Sequence, residues 1–157
     1  YWARRAARGG PAVAPGSPAD ELQLIDVRDL APFLVRVGLG RETGALHAVG
    51  AEVRWGDFLR GVAERTGDRV QWRWAPAEVL ARHGLRAWID LPLWMPAVGP
   101  YRGACHVDRT LAMTAGLWTR DPAETAVDGW AWRQAHPGDP SGVGIDPEVE
   151  AKILAEL

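Results

Sequence analysis

Stretches of regular hydrophobic spacing alternate along the chain with stretches punctuated by proline and glycine, and the spacing predicts the elements. Residues 9–21, GGPAVAPGSPADE, are built from Gly, Pro and small residues and read as a connecting segment with a short extended piece at Val13. In LQLIDV, 22–27, the residues Leu22, Leu24 and Ile25 predict a strand entering a core. Leu30, Phe33, Leu34 and Val37 then recur at helical spacing. Asp29 is placed to cap that helix, Pro32 is tolerable in a first turn that does not need its N–H, and Gly38 and Gly40 end it.

GALHAVG, 44–50, reads as a short β-like run between glycines. Trp55, Phe58, Leu59, Val62 and Ala63 predict an amphipathic helix closed by Gly67. RVQWRWAP sets Val70, Trp72 and Trp74 on one side of a strand at period two, and Pro76 opens a short helix that stops at Gly84. Further on, Asp108 caps a helix reaching Gly116. Asp121, Pro122 and Glu124 supply a cap, an N1 proline and a capping-box acid for another, which turns Val127, Trp130 and Ala131 inward. After the link GDPSGVG, 138–144, Asp146 and Pro147 begin a terminal helix with Val149, Ile153, Leu154 and Leu157 as its apolar stripe.

Between these elements lies AWIDLPLWMPAVGPY, 87–101. Prolines at 92, 96 and 100 exclude a helix or a central strand. A loop bearing Trp88, Ile89, Leu91, Leu93, Trp94 and Met95 carries more apolar area than a surface connection holds in water, so something must cover it.

Composition narrows the function classes. At 157 residues the chain is one domain or a large piece of one. Its net charge of −2, from 18 basic and 20 acidic side chains, lacks the basic excess of a nucleic-acid binder. No apolar run is long enough for a spanning helix, so no membrane partner is expected. The single Cys105 rules out an internal disulfide and predicts a reducing, cytoplasmic setting. Nine tryptophans against two Phe and two Tyr each need a large apolar surround, and the opening residue Tyr1 suggests a fragment or processed product.

Candidate chemistry is sparse. There is no HxxxH, HExxH or CxxC, so no metal pattern is read. Cys105 and His106 are neighbours whose metal-binding partners would have to come from distant, unidentified positions. His47 is expected as a strand residue with a satisfied ring, His83 as a cation near a helix C-terminus, and Cys105 as a structural thiol. No glycine pair matches a phosphate cradle, so no cofactor fingerprint is present. Asp26, Arg28 and Asp29 cluster where α/β proteins place ligand contacts, although capping alone accounts for Asp29. Trp2, Trp55, Trp88 and Trp94 are pocket-wall candidates, with core packing the commoner fate of any one of them.

LQLIDVRDLA resembles the F-I-D-V-R-D-L-A segment of the NAD-dependent epimerase/dehydratase family, the extended short-chain dehydrogenase/reductases. GALHAVG is similar to that family's G-x-F-N-A-x-G, and WGDFLRGVAERTG to the helix after it. DLPLWMP is similar to the E-L-P-L-W-L-P of a bacterial branch, and AGLWTRDPAETAVDGWAW and GIDPEVEAKILAEL resemble later segments of the same branch. The resemblance covers nearly the whole chain.

It implies an α/β fold: the C-terminal part of a Rossmann-type doubly wound sheet plus a small α+β substrate-binding lobe over residues 1–157. The N-terminal dinucleotide-binding half, with the family's Tyr-x-x-x-Lys, would lie outside it. Lys152 is the only lysine and follows neither tyrosine at that spacing, so the resemblance implies an inactive portion binding no cofactor alone, with NAD or NADP held by the full-length enzyme. Leu22 stands where nucleotide-sugar enzymes of the family carry an arginine, which favours an uncharged or small substrate over a nucleotide sugar. Arg54 replaces a threonine cap. The implied partners are a small-molecule substrate and the missing half, and the implied substrate contacts are Tyr1, Trp2, Asp26, Leu93, Trp94 and Met95. The alternative is a noncatalytic binding or regulatory module that uses a tryptophan-lined surface.

Overall fold

The computed structural model describes residues 1–137 and 143–157; most of the expected link at 138–144 lies outside the described residues. The chain is mixed α/β. Helix α1 (Trp2–Arg8) stops at Gly9, whose φ of 75° a side chain would resist, and leads directly into β1 (Gly10–Pro15). β1 pairs in parallel with β4 (Val70–Ala75), from Gly10 opposite Val70 to Pro15 opposite Ala75. A parallel pair needs a long crossover. Here it contains β2 (Glu21–Leu22), α2 (Val27–Leu39), β3 (Val53–Arg54) and α3 (Trp55–Arg65), with β2 and β3 forming a two-residue antiparallel ribbon. After β4 come α4 (Ala77–Arg82), a 3-10 turn at Gly99–Tyr101, α5 (Thr110–Thr114), α6 (Pro122–Ala135) and α7 (Pro147–Glu156).

The segment 9–21, expected as a connection, therefore holds one of the two long strands. Ala12, Val13 and Ala14 are fully buried in it. Gly10 and Gly16 donate N–H groups to Arg69 and Ala75 of the β4 side, so the even positions of β1 face β4. The odd positions face away: Pro11 and Pro15 have no N–H, and the Val13 N–H is taken by Glu150 Oε1 of α7 at 3.2 Å. Arg5 donates to the Pro11 carbonyl, which closes that edge within the chain itself.

α3 matches its predicted face, burying Trp55, Phe58, Leu59, Val62 and Ala63 against α1 and α6. Each such residue contributes on the order of 1.5–3 kcal/mol by leaving water. In β4, Val70, Trp72 and Trp74 are half-buried while Gln71 and Arg73 are exposed, as period two requires. The main core gathers Trp2, Val13, Leu22, Trp55, Leu80, Leu91, Trp94 and Ile153; a smaller cluster of Phe33, Ala112 and Leu117 joins α2 to α5.

Several local expectations change. The strand expected over 22–27 shrinks to Glu21–Leu22, because Asp26 begins a helix: its side chain accepts the Arg28 N–H, and α2 starts at Val27. Pro32 consequently lies inside α2, beyond the first turn, and Leu34 of the predicted stripe is exposed. GALHAVG forms no strand. Leu46 and Ala48 pack on the Phe33 cluster, and Gly50 passes so close to Leu24 that a Cβ there would lie 1.8 Å from its carbonyl oxygen. Asp121 and Asp146 do cap their helices, whereas Glu124 turns to Arg120 instead of closing a capping box.

Candidate functional site

Ligands of open α/β sheets bind outside the carboxyl ends of the strands. At that end of β1, Gly16 turns the chain with φ of 69°, and the loop 91–95 folds down onto it. Trp94 is 4% exposed and donates its indole N–H to Asp20 Oδ2 at 2.8 Å; the same oxygen accepts the Ser17 N–H at 3.2 Å. Trp2, buried from the α1 side, donates its indole N–H to the Pro92 carbonyl at 2.6 Å. The loop also bonds to itself, the Trp88 N–H reaching the Leu91 and Trp94 carbonyls. The proline-rich stretch is thus covered by the chain's own core, through Leu91 and Trp94. Leu93 and Met95 stay half-buried, and Trp88 and Ile89 are exposed. Trp88 and Leu93 both take positive φ, 67° and 68°, a strained geometry for large side chains of the kind that clusters at functional sites.

Beside this loop Met95 lines a crevice with Glu21, Tyr101, Cys105 and His106. Its volume is about 10 Å³, room for one water at most. Its rim is a histidine held between two carboxylates. His106 Nδ1 lies 2.9 Å from Glu52 Oε2, and Nε2 lies 2.8 Å from Glu21 Oε2. The Glu52 hydrogen bond and then the Glu21 charge hold the imidazole above its ordinary pKa. Burial pushes the Cys105 thiol up, which makes it a poor nucleophile. Gln23 stitches Val107, the residue after His106, down as well, its side-chain amide donating to the Val107 carbonyl and accepting the Val107 N–H. Glu21, Glu52 and His106 are the one group among the described residues whose metal-ligating atoms converge, all within 4.8 Å of one another.

The remaining sequence-predicted site residues lie elsewhere. Tyr1 sits near the other end of β1 in a cavity of about 630 Å³, shared with Arg4, Arg8, Arg69, Trp130 and Gln134. That volume falls within the range of small-ligand pockets. Burial, reinforced by the charge of Glu150, pushes the Tyr1 phenol up to about 12. Asp26 is 5% exposed at the start of α2, ion-paired to Arg28 and accepting the Thr125 hydroxyl; its carboxyl is held well below the usual range, chiefly by Arg28. Trp2, Leu93, Trp94 and Met95 are therefore brought together; Tyr1 packs edge-on against Trp2, with ring centroids 4.7 Å apart, but opens into the other cavity, and Asp26 lies apart. His83 lies at the C-terminus of α4, as expected, where it bonds Glu156, and His47 is exposed off any strand with Nδ1 3.2 Å from the Asp108 carbonyl. The loop's anchor Asp20 and the carboxylates of Glu21 and Glu52 carried no sequence signal, since nothing in their local spacing points to residues 94 or 106.

No family model, curated protein or solved structure matches the chain. No helix among the described residues is long and apolar enough to cross a membrane.

Proposed function

We propose that this chain is the substrate-binding portion of an NAD(P)-dependent epimerase, dehydratase or reductase of the extended short-chain dehydrogenase/reductase type. Its substrate is small and is not a nucleotide sugar. The dinucleotide site and the Tyr-x-x-x-Lys pair belong to residues outside this chain, and β1 and β4 are the last strands of the Rossmann-type sheet. The observation that carries the reading is the seating of Leu93, Trp94 and Met95 over the carboxyl end of a parallel strand pair, where such folds bind ligands. Leu93 and Met95 stay half-buried there, available to the reactant, while the Trp94 to Asp20 and Trp2 to Pro92 bonds hold the loop in place. The cofactor supplies hydride transfer, and this lobe supplies an apolar wall that excludes water.

The test is a titration with NADH and NADPH of the protein that contains this chain together with the residues encoded before Tyr1, read by energy transfer from tryptophan to the nicotinamide. The expected result is saturable binding by the longer protein and none by residues 1–157 alone. Failure of both nucleotides to bind the longer protein overturns the reading.

One observation favours the second reading, a noncatalytic module. The outer edge of β1 is closed by Pro11, Pro15, Arg5 and Glu150, as a self-contained unit requires. A translation start close to Tyr1 would decide for it.

A further inference from the structure

Two carboxylates converge on one imidazole from separate parts of the fold: Glu21 from β2, Glu52 from the residue before β3, and His106 from the loop beyond the crevice. Arg54, the register partner of Glu21, bonds neither carboxylate among the described contacts. With His106 ligating as a neutral imidazole, the two carboxylates give the group two negative charges. A divalent cation balances it fully.

We propose that Glu21, Glu52 and His106 form a binding site for a divalent transition-metal ion of the zinc class. His106 ligates through one ring nitrogen, and each carboxylate through one oxygen. Nitrogen and oxygen ligands of this kind sit about 2.0–2.2 Å from zinc, so tetrahedral ligands stand roughly 3.3–3.6 Å apart. Atoms already within 4.8 Å reach that spacing by side-chain rotation, and all three side chains are partly exposed, which leaves the ion a path in. Three protein ligands leave a fourth position for water or a substrate atom, the pattern of open zinc sites. The ion would tie the loop carrying His106 to the β2–β3 ribbon at the mouth of the Met95 crevice. The inference does not depend on the dehydrogenase reading, because these side chains converge whatever reaction the crevice serves.

The experiment is calorimetric titration of the chelator-stripped 157-residue chain with Zn2+, paired with visible spectra of the protein loaded with Co2+. One ion per chain is expected, with a rise in Tm. E21Q, E52Q and H106Q should each weaken binding by more than the about 10–100-fold that loss of an outer-shell partner costs. C105S and H47Q should bind as the parent does. Circular dichroism without metal shows which variants are folded. The Co2+ spectrum of C105S, which keeps all three ligands, should be unchanged from the parent's even if a ligand variant unfolds. Absence of stoichiometric binding, a folded ligand variant with parental affinity, or a thiolate-to-cobalt band lost in C105S would each overturn the proposed ligand set.

Discussion

Arg120 grips Asp29 across 91 residues, its Nη2 2.7 Å and its Nε 2.9 Å from Asp29 Oδ1, while the Arg120 backbone N–H donates to Asp29 Oδ2 at 2.8 Å. A residue expected to cap its own helix instead joins the first turn of α2 to the approach to α6. Asp26 caps in its place.

The pair gives acid stability a specific origin. The Arg120 hydrogen bonds hold the Asp29 carboxyl below the ordinary aspartate range, so on acidification the unfolded chain takes up the proton first. Asp26 shifts the same way, through Arg28. The stabilisation is complete above the ordinary Asp value and is lost as pH falls from about 4 through the depressed folded pKa values. D29N should lose roughly 1–3 kcal/mol at pH 7, and its stability should decline less than the parent's below pH about 4. Urea melts across that range check both.

Arg5 and Glu150 form an ion pair with both side chains 5% exposed, the Arg5 Nε lying 2.9 and 2.8 Å from the two carboxylate oxygens. R5M leaves a buried carboxylate short of its principal partner and unbinds the Pro11 carbonyl, so a loss of about 3–5 kcal/mol is expected. The double variant R5M/E150M should recover part of it. Chemical denaturation of the three variants measures the coupling.

Gly16 permits the loop's anchor. A Cβ there would lie 2.1 Å from Asp20 Oδ2 and 2.6 Å from Trp94 Nε1, on a backbone with φ of 69°. G16A should therefore release Trp94, red-shift the tryptophan emission and expose the loop to protease. W94F keeps most of the apolar volume but removes the donor to Asp20, and should cost about 1–3 kcal/mol.

Tyr1 provides an alkaline signature. Its phenol is pushed up to about 12 by burial, above the ordinary tyrosine value of about 10. The raised value means the unfolded chain releases this proton first as pH rises, so stability falls between about 10 and 12, by on the order of 2–3 kcal/mol in all. Tyrosinate absorbance followed against pH should show one of the two phenols ionising only near the upper end of that range, and Y1F should remove that step.

Much of the helical framework was legible in the residues themselves. The stripe from Trp55 to Ala63 and the alternation of Val70, Trp72 and Trp74 express local periodicities, which survive into the fold because each turns its apolar face to the core, and the caps at Asp121 and Asp146 hold because each side chain accepts a backbone N–H two residues on. The strand Gly10–Pro15 was hidden because its glycines, prolines and alanines resemble a linker. It forms because β4 and Glu150 satisfy its backbone from far along the chain. The loop 87–101 announced that it needed a cover without saying which one.

The amino-acid sequence by itself determined where α6 and α7 start, which face of α3 is apolar, and that the chain has no local metal or dinucleotide motif, since these depend on neighbours a few residues apart. Only the tertiary structure decided that Trp94 meets Asp20, that Asp29 serves Arg120, and that Glu21, Glu52 and His106 share one place. Those relationships join residues 54 to 91 positions apart in the case of Glu52 with His106 and Asp29 with Arg120, and proximity of that kind is created by packing the core, which no local pattern records.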